Sequence, residues 1–472
     1  MSLRIPHSTT HVRELDAPPT VLRRLAAERP DRYPMLLESV APGPLGRVSL
    51  LLASPRAALW LDREGRLGAS NGVPCEGGFL ESLEQWWLAE RVSWGSETVP
   101  HVPFTGGWAL FLGYEMAQEI EPHLALPVAR YPWRAFALRT PCALAHVAGE
   151  AERVLALAEP GAESELDRLV REVEHAASRE PHATLETPQP LPLRIREEEP
   201  QRHLERVLRA KEYIRAGDIY QANLSRSWEA LPVDSTNHRG PTAGGLYARL
   251  AAANPAPFAA LAQWGGAAVI SSSPERLIRV SGRDVETRPI AGTRPRTHLP
   301  GIDAAETAAL IAHPKERAEH IMLIDLERND LGRVCEAGSV RVDELMATET
   351  YAHVHHIVSN VRGRLRPDVT PIGAIRAVFP GGTITGVPKF RCMQIIAELE
   401  GAGRGAYTGS LGYLTASGAL DLNILIRTLT MVEGRIEFRA GGGIVADSDP
   451  ERELEETRAK ARGLLAALGV PA

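Results

Sequence analysis

The stretch ERELEETRAKARGLL sets Glu453 and Glu456 three residues apart and Lys460 four residues further on. On a helix that spacing sends all three side chains out from one face. The arrangement suits a hard divalent cation, which takes oxygen ligands. It equally suits a solvated helix surface on which Glu456 pairs with Lys460. Just upstream, AGGGIVADSDP carries Gly441, Gly442 and Gly443 inside an apolar strand-like run. Glycine there costs backbone entropy, which makes sense where another group must approach the main chain closely. A second acidic segment, PKERAEHIMLIDLERNDLG, puts Glu319 at the start of an apolar run. A carboxylate at such an edge needs a cation or an ion-pair partner. Glu319, Glu453 and Glu456 therefore form a candidate oxygen-only ligand set for Mg2+, with ordinary salt bridges as the alternative.

Other residues of the same half have types that could do chemistry. Glu275 follows Pro274 at a strand start in SSSPERLIRV, and desolvation there would make it a general acid. In YAHVHHIVS, strand periodicity places His353 and His355 on one face and His356 on the other, as packed structural residues or as acid–base groups. Arg427 interrupts the apolar run LDLNILIRTLT, and a cation there answers a carboxylate. FPGGTITGVPKFR, which contains Thr385, is a Gly/Thr/Pro loop opening a helix, whose first N–H groups favour anions. RPIAGTRPR sets Ala291, Gly292 and Thr293 between prolines and arginines, as a surface turn or as a loop that holds an anion. Together these features describe a pocket for a small polyanionic molecule without naming it.

Positioning these groups requires a framework that the patterning outlines. Strand-like segments fall at 219–229, 266–272, 276–280, 407–414, 422–430 and 435–446, and helical ones at 201–218, 303–331, 391–400 and 451–468. Toward the N-terminus, GRVSLLLASP, AALWLD and GGWALFLGYE read as strands, and AESELDRLVREVEHAAS as an amphipathic helix. Strands come in runs without strict βαβ alternation, which predicts an α+β fold with mainly antiparallel sheets. Residues 181–200 are Pro-rich and charged, a linker or edge crossing between a 1–180 region and a 201–472 region. The 472 residues carry a net charge of −6 with acids and bases interspersed, which excludes a nucleic-acid footprint. No run of 18 apolar residues exists, so no membrane span is expected, and the opening residues lack a secretory apolar segment. Four scattered cysteines fit reduced thiols of a cytoplasmic protein.

The motifs IYQANLS, SSSPERL, RPIAGTRPR, ERAEHIMLIDLERNDLGR, HHIVS, GGTITGVPK, GSLGYL, IRTLT and AGGGIVADSDPERELEET occur in the order shown by the chorismate-utilising enzymes. The chain resembles that family over about 200–468, and more weakly through MLLES and GGWALFLGYE. The resemblance implies a large domain of two packed antiparallel sheets with helices outside. It implies that Glu319 and Glu456, with Glu453 beside them, ligate Mg2+, which bridges to the ring carboxylate of chorismate. Gly292, Thr293, Thr385, Tyr413, Arg427 and Gly441 to Gly443 would hold the substrate, with Lys460 as a supporting cation. Glu275 resembles the general acid that protonates the departing 4-hydroxyl, and His356 the pocket histidine near it.

Within the family, GGTITGVPK, AGGGIVADS, IYQANLS and NPAPFAALAQW resemble the aminodeoxychorismate synthase branch. That branch converts chorismate to 4-amino-4-deoxychorismate, with ammonia from a separate glutamine amidotransferase subunit. Anthranilate synthase is the alternative, and Ala291 favours it, because the first branch typically carries at this position a lysine thought to attack C2 of chorismate. Glu38, Ser39, Pro257 and Phe258 resemble positions of a tryptophan pocket in which Glu38 and Ser39 would hold the amino group.

Overall fold

The computed structural model describes residues 10–41, 48–92, 102–149, 153–179, 191–233, 240–296, 301, 303, 308–309, 312–350 and 354–470, with only the backbone at 293–295, 315 and 354. Among the described residues, period-two patterning builds two antiparallel sheets, of twelve and eleven strands. Along the Val48–Ala53 strand, Leu51 turns to the outer helices while Leu50 and Leu52 turn to the other sheet. The same alternation on neighbouring strands stacks four layers, helix–sheet–sheet–helix. Leu166, Leu169 and Val173 of the Glu163–Ser178 helix cover the outside of the first sheet, as their spacing predicts. The Pro450–Ala467 helix covers it too, through Ala461, Leu464 and Ala467.

Both sheets are shared between the two ends of the chain, which corrects the two-region expectation. Met35–Glu38 pairs with Phe258–Trp264 in the first sheet, and Gly107–Leu112 pairs with Ser410–Thr415 in the second. Strands before residue 180 and after residue 201 thus hydrogen-bond directly, and parting them would leave long unpaired strand edges. The end of the Pro-rich stretch is itself structured: Leu193–Glu197 is the edge strand beside Gln221–Pro232. An edge tolerates the nearby prolines because no ladder hydrogen bond is lost there. Residues 181–190 lie outside the described residues.

A second difference concerns the run 422–430. It divides into Leu420–Asn423 of the second sheet and Thr428–Val432 of the first. Arg427 sits at the crossing with φ of 53°, a left-handed conformation that a non-glycine residue seldom adopts.

One buried charge network ties the layers together. Glu400, at the end of the Lys389–Glu400 helix, accepts the Ser225 N–H at 2.8 Å, Arg404 Nη2 at 2.7 Å and Arg439 Nη2 at 2.8 Å. The two arginines outweigh the burial penalty and pull its carboxyl down to about 2. Glu400→Ala should therefore destabilise the fold by about 3–5 kcal/mol, because Arg404 and Arg439 are left buried and unpaired. A fall in the urea midpoint at pH 7 checks this. In the intact protein the Glu400 contribution is present above the ordinary carboxylate range and lost as pH falls toward about 2.

Candidate active site

The Ala267–Ser273 strand leads through Pro274 into Glu275, whose side chain is 4 % exposed. Thr383 Oγ1 donates to its Oε1 at 2.7 Å. Burial pushes the Glu275 carboxyl up to about 8, and the Thr383 hydrogen bond only partly offsets that. At neutral pH it is a protonated acid. Thr383 belongs to the short turn Gly382–Ile384 of the GGTITG motif. Thr385, expected to meet substrate, instead donates to Gly381 O at 2.9 Å and closes the turn from within the protein. The threonine that touches a reactive group is its neighbour.

RPIAGTRPR is neither a turn nor a loop. Ile290–Pro295 is an edge strand of the second sheet, paired with Val354–Arg364. The register slips between Ala291 and Thr293, and Gly292 takes φ of 65° at that bulge. The extra residue turns the Gly292 carbonyl toward His356, whose Nδ1 lies 3.2 Å from it. That carbonyl can only accept, so Nδ1 carries the proton and Nε2 the lone pair. Burial holds His356 down at about 4, so the ring is neutral at physiological pH. His355, 3 % exposed, is bonded to Thr350 Oγ1 at 2.8 Å; His353 and the Thr293 side chain lie outside the described residues.

The three glycines are occupied as close approach demands. A Cβ on Gly441 would lie 2.3 Å from Leu224 O, and one on Gly443 would lie 1.9 Å from Gln221 Nε2. At Gly442 it would meet Glu456 Oε1 at 3.2 Å and Glu453 Oε2 at 3.3 Å. Two carboxylates thus converge over the bare backbone of Gly442. Lys460 bridges the group, contacting Glu456 Oε1 at 2.6 Å and donating to Gly441 O at 2.9 Å. The Glu456–Lys460 pair is real, and the same geometry makes a carboxylate cradle. Its all-oxygen donor chemistry suits Mg2+. Glu319, half-buried, lies on the Pro314–Gly332 helix, which packs on Ile290–Pro295 and Val354–Arg364. It does not complete a triad here: among the described residues no three His, Cys, Asp or Glu side chains form a metal-binding group.

Burial lowers the affinity of Arg427 for a proton, and Tyr407 and Glu456, within electrostatic reach, oppose that. Tyr407 in turn lies under Arg404, 5.6 Å from the guanidinium. The expected tyrosine, Tyr413, is elsewhere. Strand alternation turns it into the space between the sheets, edge-on to Phe104 with ring centroids 5.5 Å apart. There it lines a cavity of about 350 Å³ with Glu38, Ser39, Pro257 and Phe258. Neither Glu275, His356 nor Lys460 borders that cavity. Glu38 already accepts Arg23 Nε at 2.8 Å and the Tyr247 hydroxyl at 2.6 Å, while Ser39 Oγ donates to Pro257 O at 3.0 Å.

A family of sequences described as chorismate binding enzymes matches residues 53–466. The chain belongs to the chorismate-binding enzyme family. An anthranilate synthase component I-like protein of Synechocystis is 41 % identical, covering 92 % of this chain and 86 % of that protein. An aminodeoxychorismate synthase of Streptomyces griseus is also 41 % identical, covering 82 % of this chain and 54 % of that protein. The crystal structure of anthranilate synthase component I from Streptococcus pneumoniae superposes with a TM-score of 0.75 at 30 % identity, covering 90 % and 93 % of the two chains. This chorismate-binding enzyme is thus of the anthranilate synthase and aminodeoxychorismate synthase type, with their two-sheet fold. Among the described residues no helix is long and apolar enough to cross a membrane.

Two residues of this chorismate-binding enzyme escaped sequence reasoning. Tyr407 stands six residues before Tyr413 in AYTGSLGYL, and only its place before the strand start at Ser410 distinguishes the two. Thr383 and Thr385 both lie in GGTITG, and nothing in the spacing marks the first over the second.

Proposed function

We propose that this enzyme aminates chorismate to 4-amino-4-deoxychorismate in the cytoplasm, with ammonia from a separate glutamine amidotransferase subunit. The observation that carries the reading is Glu275, a buried carboxyl held protonated up to about pH 8 beside the Thr383 hydroxyl. A ring that already bears two carboxylates loses hydroxide only when a proton donor meets the leaving oxygen. Glu275 supplies that proton, and neutral His356 orients the hydroxyl. Glu456 and Glu453, which converge over Gly442, would hold Mg2+. Bound there, the ion would neutralise a substrate carboxylate and draw electron density from the ring. Lys460 fixes the Glu456 carboxylate, the Gly441 to Gly443 backbone leaves room for the substrate carboxylate, and Arg427 beside Tyr407 meets a second anionic group. The cavity at Glu38, Ser39, Pro257 and Phe258 is the place for tryptophan. The test is product analysis by mass spectrometry after incubation with chorismate, Mg2+ and ammonium. Aminodeoxychorismate is expected, and anthranilate alone would overturn the reading.

Anthranilate formation is the second reading, and Ala291 favours it. The position is paired in register with Ile357 and offers a methyl group where a lysine nucleophile would stand. Ala291→Lys separates the two. A pocket built for amination at C4 should gain a covalent adduct in the intact-protein mass spectrum with product identity unchanged. Lost turnover with no adduct would count against C4 amination.

A further inference from the structure

The ERND segment carries a buried acid pair that the chemistry above leaves unused. Glu327 and Asp330 stand three residues apart on one face of the Pro314–Gly332 helix, 4 % and 3 % exposed. Glu327 lies against the same short turn that holds Glu275. A Cβ on Gly382 would come within 3.3 Å of Glu327 Oε1, and the next residue, Thr383, donates to Glu275 at 2.7 Å. One turn of helix beyond, Asp330 Oδ2 accepts from Lys389 Nζ at 2.5 Å, and Lys389 also donates to Val378 O at 3.1 Å. The two glutamates thus flank consecutive residues, and the cation on their far side is engaged by Asp330.

Resting on the reading of Glu275 as the general acid, we propose that Glu327 is its positioning residue. Across the Gly382–Thr383 turn, this second buried carboxyl group keeps the Glu275 side chain in its proton-donating form. Carboxyls in one dry region resist ionising together, so a charge on Glu327 holds the proton on Glu275. Burial first and the Asp330 charge second raise Glu327, Lys389 opposes them, and the net value is about 7. Glu275 in turn feels the Glu327 charge upward, and the Thr383 hydroxyl, the Ile290 N–H and Lys460 downward. The Gly382 N–H and the Thr287 hydroxyl also face Glu327, and Arg333 acts on Asp330.

Chorismate turnover as a function of pH tests the assignment. In Glu327→Gln the alkaline limb should move to lower pH, cutting turnover above the limb roughly tenfold per unit moved. Glu327→Asp should restore much of it. An unmoved limb with full turnover in Glu327→Gln would overturn the assignment. A measurement independent of both Glu327 variants is infrared titration of the protonated-carboxyl band in wild type and in Glu275→Gln. The band that survives in Glu275→Gln should titrate at lower pH than the wild-type pair; an identical titration would refute coupling. Coupling seen by infrared in a protein that makes only anthranilate would sink the proposed reaction and leave the Glu327–Glu275 pair standing.

Discussion

Glu275→Gln is expected to lower chorismate turnover by about 10²–10⁴-fold, the usual contribution of a positioned general acid. The amide keeps the shape of the acid and can still accept from Thr383, so substrate affinity should change little and the loss should fall on kcat. The pH behaviour makes the test specific. Glu275 is held up to about 8 by burial, so wild-type turnover should persist through neutrality and decline as pH rises through about 8. Stability should fall in the same direction of pH. A carboxyl whose folded value is raised contributes most below its unfolded value, about 4.3, and that contribution is lost as pH climbs toward about 8. Glutamine cannot ionise, so the variant should melt at a higher temperature than wild type near pH 8 while barely turning over. Retained activity, or a lower melting temperature at that pH, would remove Glu275 from the acid role.

The second large effect is expected from Glu456→Gln, which should cut Mg2+-dependent turnover by more than about 100-fold. The carboxylate stands beside Glu453 over Gly442 and is fixed by Lys460 at 2.6 Å. Replacing it with an amide removes the charge that would hold the ion. The fold should survive, because the Glu456 side chain is 49 % exposed, and a pair so open to water contributes at most about 1 kcal/mol. Turnover against Mg2+ concentration, read beside an unchanged melting temperature, checks both halves. Unchanged turnover would place Glu456 outside the site.

Much of this site was legible because local periodicity encodes it. Glu453, Glu456 and Lys460 share a helix face by spacing alone, and the three glycines mark a backbone that something approaches. The GGTITG segment read as a Gly/Thr/Pro loop opening a helix, and the turn Gly382–Ile384 does precede the Lys389–Glu400 helix. What spacing could not reveal is which of two equivalent residues a turn presents. Thr383 and Thr385 differ only in that one hydroxyl closes the turn while the other points at Glu275. Tyr407 precedes the first strand residue, Ser410, whereas Tyr413 lies within the strand. Glu327 and Asp330 have the same three-residue spacing as Glu453 and Glu456, a signal present in LERND that goes unread when charge in a helix is taken for a solvated face. The sheet partners were the least legible. No pattern within Met35–Glu38 names Phe258–Trp264 as its neighbour, and a Pro-rich stretch between them reads as a boundary even though both sheets pass across it.

That pairing also fixes when the enzyme can exist during its own synthesis. Leu36 is hydrogen-bonded beside Leu261, and at about 5–20 residues per second the ribosome takes roughly 10–45 s to deliver the second after the first. Throughout that interval Met35–Glu38 can pair only with Val48–Ala53 on one side, and its other edge stays exposed, of the kind that chaperones bind. The last strand of the first sheet to be made, Arg435–Ile444, lies between Thr428–Val432 and Gln221–Pro232. It carries the three glycines of the carboxylate cradle, so a nascent chain truncated before it would lack both the strand that joins Gln221–Pro232 to the sheet and its site.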